Sequence, residues 1–231
     1  MNPHDERLQA ALGYRFGDER RLARALTHRS ASADNNERLE YLGDALLNFV
    51  IADSVFAAFP QASEGDLSRL RATLVREEAL AAAARRIGLG DFLRLGSGEL
   101  KSGGYRRDSI LADGLEAVIG AVHLDGGFDA ARGVCLRLFA EELGNLPDPL
   151  TLKDPKTRLQ ELLQATGRPL PEYAVLGESG PPHRRSFTVS CRLADGQDDG
   201  TVGEGGSRRL AEQQAAQRML ERLRPAGGGD A

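Results

Sequence analysis

The sequence predicts an all-α first domain followed by a small α+β domain of α-β-β-β-α order. Three observations carry this. Apolar residues recur every three or four positions through the first part of the chain, as in Leu67, Leu70 and Leu74 and then Leu80 and Ala84, the pattern of amphipathic helices. Two prolines and a Gly-Asn pair break that pattern at Gly144-Asn145-Leu146-Pro147-Asp148-Pro149. Beyond the break, Phe187, Val189, Cys191 and Leu193 alternate with Ser186, Thr188, Ser190 and Arg192, which reads as a half-buried strand. The domains are set at 5–146 and 154–224, joined by a linker over 147–153. The Gly-rich tail 225–231 has nothing to bury and is expected to be disordered.

Taken in order, helical spacing runs through Asn35 to Leu47, then through Ser109 to Val118. After the linker comes a helix over Thr157 to Thr166, an extended piece over Glu172 to Leu176, and the alternating strand. Thr201-Val202 supplies a third short strand, and Ser207 to Leu223 closes the domain as a helix.

Composition excludes several classes. The chain has 231 residues, of which 41% are hydrophobic and 28% charged, so it is neither disordered by composition nor membrane-embedded. Its apolar runs stop far short of the roughly 18 residues a span needs, so no membrane association is expected. The first residues lack the apolar stretch of a secretory signal, and a cytoplasmic location is expected. Cys135 and Cys191 lie far apart, with neither a C-x-x-C pair nor clustered histidines, which argues for buried free thiols. Residues 151–231 hold 12 basic and 11 acidic residues, so a nucleic-acid reading rests on where charges sit and not on bulk charge.

At 100° per residue Glu37, Glu40 and Asp44 fall within an arc of roughly 60° on the first of these helices. Leu39, Leu42, Leu46 and Phe49 are expected on the opposite, buried side, and Gly43 fits a close helix contact. On the second helix Asp113 and Glu116 stand three apart, with Leu111, Leu115, Val118 and Val122 opposite. Periodicity alone leaves two accounts open. Acids on a polar face are solvated, and Asp34 with Glu37 can cap a helix. Alternatively, clustered carboxylates hold hard divalent cations for phosphodiester hydrolysis, and oxygen-only ligands suit Mg²⁺.

The stretch Asn36-Glu37-Arg38-Leu39-Glu40-Tyr41-Leu42-Gly43-Asp44 resembles the signature of the bacterial ribonuclease III family. Leu26 to Ser30, Glu64 to Ala72, Gly96 to Glu99 running on to Tyr105-Arg106-Arg107, and Ile110 to Asp113 are similar to the same family, so the resemblance covers nearly the whole chain. It implies a nuclease fold for the first domain, a metal-dependent cut in both strands of double-stranded RNA, and a homodimer. Mg²⁺ is the implied cofactor, with Mn²⁺ as a substitute. By the same resemblance Glu40, Asp113 and Glu116 are direct metal ligands, and Asp44 positions water at the metal. Asp44 and Glu116 are the catalytic pair, while Glu37 and Glu64 belong near the cleavage valley and dimer interface. Tyr41 stands where Phe is common and is the aromatic expected to enter the partner. His28 is assigned a structural or RNA-contacting role, His123 a place in the core, and the Gly-rich loop carrying Arg106 and Arg107 either a phosphate contact or a solvated position.

The second domain resembles a double-stranded RNA-binding domain. Gln160, Glu161 and Gln164 share a helical face suited to 2′-hydroxyls and base edges in the minor groove. Gly180-Pro181-Pro182-His183 forms a rigid turn that presents His183 to the next groove. Ser207, Arg208 and Arg209 cap and charge a helix start, a site for phosphates. The family usually has lysines there. Arginine keeps the charge and the phosphate geometry, whereas Leu210 and the nearby Glu204 and Glu212 count against binding strength. A non-cutting RNA-binding regulator and a DNA nuclease are the rival readings. The carboxylate quartet argues against the first, and the apparatus for 2′-hydroxyls against the second.

Overall fold

The computed structural model describes residues 3–181, 184–196 and 200–223, with nothing said of the side chains of residues 3–5 and Leu150. The expected tail, 225–231, and His183 lie outside the described residues. The chain forms two compact units, residues 1–149 and 150–231.

The first unit is helical: α1 (Pro3–Leu12), α2 (Glu19–Ala25), α3 (Glu37–Ala58), α4 (Glu64–Val75), α5 (Glu77–Arg86), α6 (Ser97–Lys101), α7 (Asp108–Leu138) and α8 (Ala140–Gly144), with short 3₁₀ turns at Leu89–Asp91 and Gly104–Arg106. Local chemistry sets the starts. Asp18 accepts the Arg20 backbone N–H at the head of α2, and the Ser63 hydroxyl accepts that of Asp66 at the head of α4. Asp34, which one of the two accounts made a cap of α3 with Glu37, pairs with Arg24 at 3.0 Å, while Asn35 Oδ1 accepts the Glu37 N–H at 3.0 Å.

Helices α3 and α7 pack through glycine. A Cβ added at Gly43 would lie 1.8 Å from the Glu116 carbonyl oxygen, and one at Gly120 would lie 2.2 Å from that of Leu39. The backbones therefore meet closer than any side chain allows. The buried stripe of α3 is Leu39, Gly43, Leu47, Val50, Ile51 and Val55, offset from the expected one. Leu42 and Leu46 are half-buried, and Phe49 is exposed, meeting the Phe128 ring edge-on at 5.7 Å. On α7, Leu111, Leu115, Val118 and Val122 are buried as expected. By length and mean hydropathy α3 could cross a bilayer, which the short apolar runs did not suggest; one of its faces is core, packed on α7.

Helix α7 runs past the expected end and breaks at Gly127, where φ is 81°. Just before the break, Asp125 is nearly enclosed and accepts the Tyr14 hydroxyl at 2.7 Å and the backbone N–H groups of Gly17 and Asp18 at 2.8 and 3.0 Å. A carboxylate thus ties the loop before α2 to the middle of α7.

The second unit follows a short turn of helix, α9 (Pro149–Leu152), within the stretch expected to be linker. Helix α10 (Pro155–Ala165) starts on Asp154, whose side chain accepts the Thr157 N–H, with Pro155 in the first turn. Strands β1 (Pro171–Ser179), β2 (Ser186–Leu193) and β3 (Thr201–Gly205) form an antiparallel sheet in sequence order, and α11 (Arg208–Leu223) ends it. The α-β-β-β-α order matches the expectation, with β1 longer than expected and irregular between Val175 and Gly177. Leu159, Leu163, Cys191, Leu193, Ala215, Ala216, Met219 and Leu220 form its core, with Tyr173 packed against it. Both cysteines are buried, as expected, and neither is in a disulfide.

Candidate functional site

The close glycine contact between α3 and α7 has a chemical consequence: it brings the acidic faces of the two helices together. Glu40, Asp113 and Glu116 each offer an oxygen, and the three oxygens lie within 4.8 Å of one another. All three side chains are half-buried. Burial, and then repulsion from Asp44, Asp113 and Glu40, pushes the Glu116 carboxyl up to about 8. Burial likewise raises Glu40 and Asp113. Asp113 and Glu37 add repulsion at Glu40, and Glu77 adds it at Asp113, while Arg29 pulls both down. Three oxygen donors with uncompensated negative charge suit a hard dication, whose charge would reverse this pattern.

Asp44 lies on the exposed side of α3, near enough to repel Glu40 and Glu116, with its Oδ1 accepting the Asn48 amide at 2.7 Å. Glu37 is exposed and 3.5 Å from the Arg29 guanidinium. Glu64 accepts the Ser68 hydroxyl at 2.8 Å and lines a cavity of about 150 Å³ with Phe56, Leu67 and Arg71. It is not among the three converging acids. Tyr41 is 81% exposed and borders a groove of about 630 Å³ with Arg24, Arg38, Leu42 and Leu124.

One contributor, Glu77, was not legible, and a second, the Leu26 to Ser30 stretch, was read without its charge on the site. Glu77 opens α5 with no motif around it, yet its charge reaches Asp113. The segment carrying His28 and Arg29 is latched beside the site by a Thr27–Arg94 bridge and by Ser30, whose hydroxyl accepts the Gly96 N–H and meets His28 Nδ1 at 2.7 Å. His28 and Arg29 both lower Asp113. His123 is half-buried, and its Nδ1 has no hydrogen-bond partner among the described residues, unlike the satisfied core histidine expected. Arg107 pairs with Glu99 at 3.0 Å, and the exposed Arg106 lies over the Tyr105 ring.

In the second unit, Gln160 and Gln164 are exposed on one face of α10, as placed by periodicity. Glu161 is engaged: its Oε2 accepts the Lys153 ammonium at 2.7 Å. Ser207 accepts the Leu210 N–H at 3.3 Å, and Arg208 and Arg209 project from the start of α11. Arg208 donates to Glu212, whereas Arg209 makes no ion pair among the described residues.

Comparison with known proteins locates both sites within described families. A family model described as Ribonuclease-III-like matches residues 18–143, and one described as Double-stranded RNA binding motif matches residues 155–223. Ribonuclease 3 of Vibrio vulnificus strain YJ016 is 54% identical over 223 residues, covering 96% of this chain and 99% of that protein. Ribonuclease 3 of Ectopseudomonas mendocina is 55% identical over 230 residues, covering 100% of each. Among solved structures, the nuclease domain of ribonuclease III from Campylobacter jejuni is 45% identical with a TM-score of 0.59, covering 64% of this chain and 99% of that one.

Proposed function

Because the chain belongs to the ribonuclease III family, we propose that it is an endoribonuclease that hydrolyses both strands of double-stranded RNA in a divalent-metal-dependent reaction. The observation that carries this reading is the convergence of Glu40, Asp113 and Glu116 on two glycine-coupled helices, none of them in an ion pair among the described residues. These three would hold Mg²⁺ or Mn²⁺. A bound cation of this kind supplies charge stabilisation at the phosphoryl oxygens and activation of water. Glu116 and Asp44 act at the reacting centre, Asp44 orienting water from the exposed rim. Arg29, 3.5 Å from Glu37 and acting on Glu40 and Asp113, is the proposed phosphate contact. Glu37 and Glu64 play lesser parts.

Products carry 5′-phosphate and 3′-hydroxyl ends. Two copies related by two-fold symmetry place two centres across a groove, so staggered cuts leave short 3′ overhangs. The exposed Tyr41 and the cavity bounded by Phe56 and Glu64 support a homodimer through the nuclease unit. A related Campylobacter jejuni nuclease domain is itself described as having a region involved in dimer formation. The second unit grips the duplex through Gln160, Gln164 and the start of α11, with Glu161 and His183 as further contacts. Structured precursors, including ribosomal RNA and messenger RNA, are the proposed substrates, and the cytoplasm the proposed location.

The test is one gel with Mg²⁺ or EDTA and labelled RNA or DNA duplexes. Cutting of RNA alone, and only with the cation, is expected. Binding without cutting in Mg²⁺ would leave a non-catalytic regulator, and cutting of DNA would reverse the substrate assignment.

A further inference from the structure

A carboxylate at the fifth residue of a phosphate-gripping helix is expected to repel RNA, and Glu212 occupies that position on α11. The structure gives it different surroundings. Its side chain is 11% exposed; Oε2 accepts the Lys156 ammonium at 2.6 Å, and Oε1 accepts Arg208 Nε at 2.9 Å. Lys156 sits in the first turn of α10, and its ammonium lies 4.5 Å from the centre of the Tyr173 ring on β1. One carboxylate therefore links the first turns of both helices and, through the lysine, the sheet. Burial pushes the Glu212 carboxyl up, but the hydrogen bonds and charges of Lys156 and Arg208 outweigh it and hold the group below the usual carboxylate range.

Two cations on one anion leave a surplus positive charge. Both cations remain reachable from solvent, since the side chain of Lys156 is 36% and that of Arg208 65% exposed. Free lysine and arginine side chains lose rotamer entropy when they grip a phosphate, and a fixed pair has already lost much of it. Resting on the reading of residues 155–223 as a duplex-RNA clamp, we propose that Glu212 is a positioning residue. It holds Lys156 and Arg208 as a preformed cation pair at the start of the two helices, ready for duplex phosphates. Lys156 thereby joins the RNA-contacting set.

The proposal predicts a sign opposite to simple electrostatics. Removing a negative charge beside a polyanion should tighten binding and steepen its salt dependence if the carboxylate only repels. If it positions, Glu212→Gln should bind a labelled RNA duplex roughly tenfold more weakly despite the added net charge. The measurement uses the full chain in EDTA, titrated over a range of KCl, with thermal unfolding recorded alongside. Folded Glu212→Gln that binds as tightly as the parent, or tighter with a steeper salt slope, overturns the proposal. Lys156→Met provides a second arm should Glu212→Gln not fold. It should weaken binding and lower the salt slope by about one, and binding identical to the parent at every salt concentration would likewise overturn the proposal. If the parent chain shows no preference for RNA over DNA duplex, the clamp reading fails and this inference falls with it, an outcome distinct from a parent that binds RNA and a variant that is unaffected.

Discussion

The carboxylates of the first unit and Glu212 of the second are both taken partly out of water, yet their charges are handled in opposite ways. Glu40, Asp113 and Glu116 face one another and are all raised, Glu116 to about 8. Glu212 faces two cations and is lowered. A buried charge is tolerated only when something compensates it, so the place where the chain itself does not supply compensation is where an external cation belongs. The compensated carboxylate is a fixed part of the fold; the uncompensated ones form a receptor.

The largest effect should come from removing one of the uncompensated acids. Glu116→Gln keeps the shape but replaces a charged ligand with a neutral amide, so cleavage in Mg²⁺ should fall by at least about 100-fold, the upper end of what an indirect metal-site substitution costs. Duplex binding should stay near the parent value. The metal-free protein should become slightly more stable, by about 1 kcal/mol, because the cost of keeping an ionisable carboxyl among buried acids is gone. Added Mg²⁺ should raise the thermal midpoint of the parent and not that of the variant. Asp44→Asn should also lose most cleavage, whereas Glu37→Gln and Glu64→Gln should be milder. Equal losses for all four would abolish the ranking, and a Glu116→Gln variant that cuts normally would abolish the site.

Asp125 sharpens the same contrast within one helix. It lies on α7 nine residues beyond Glu116, but donors surround it. Burial pushes its carboxyl up, while the Gly17, Tyr14 and Asp18 hydrogen bonds and the Arg21 charge outweigh that and leave it below the usual range. Asp125→Asn should therefore destabilise the protein, by about 2 kcal/mol, through an amide group turned toward N–H donors. That corresponds to roughly 4–8 °C in the thermal midpoint. The sign with pH follows from the lowered value: the contribution is full above the ordinary aspartate range near 4 and is lost as pH falls through the folded-state value. The gap between parent and variant should close in acid. A constant gap from pH 7 to pH 2 would show that the carboxylate charge is not what stabilises.

The grouping of Glu40 with Asp113 and Glu116 was legible only through the family resemblance, whereas local patterns in the sequence were enough to place the helical first unit, the α-β-β-β-α order of the second and the acidic faces of α3 and α7. Each rests on a periodicity of a few residues or on a glycine whose small size lets α3 and α7 meet. What escaped depends on distant partners. The core stripe of α3 is shifted to the face that carries Gly43 against α7, which leaves Phe49 against Phe128 in place of the core. Asp125 gave no signal, since its donors lie 107 to 111 residues away. Glu212 looked like a liability in a basic segment because Lys156, its strongest partner by distance, stands 56 residues earlier.

The smallest effect concerns the arginine at the start of α11 that Glu212 does not hold. Arg208 is held by Glu212, whereas Arg209 is exposed and makes no ion pair among the described residues. If a cation outside any ion pair among the described residues is what meets the ligand's charge, Arg209 should behave as a pure phosphate contact. Arg209→Ala should then leave the fold intact and the thermal midpoint nearly unchanged, because the side chain is exposed and its charge reaches Asp154 only at a distance. It should lower the slope of log affinity against log salt by about one and weaken binding to every duplex sequence alike, since a phosphate contact releases a counterion without reading a base. The loss should be a few-fold at low salt and shrink as salt rises, because the released counterion drives binding less at higher concentration. Titrations of the full chain in EDTA against two RNA duplexes of unrelated sequence, each at several KCl concentrations, measure all of this. A loss confined to one sequence would make Arg209 a base reader. An unchanged slope would show that Arg209 makes no phosphate contact, and that the duplex is held elsewhere on this unit.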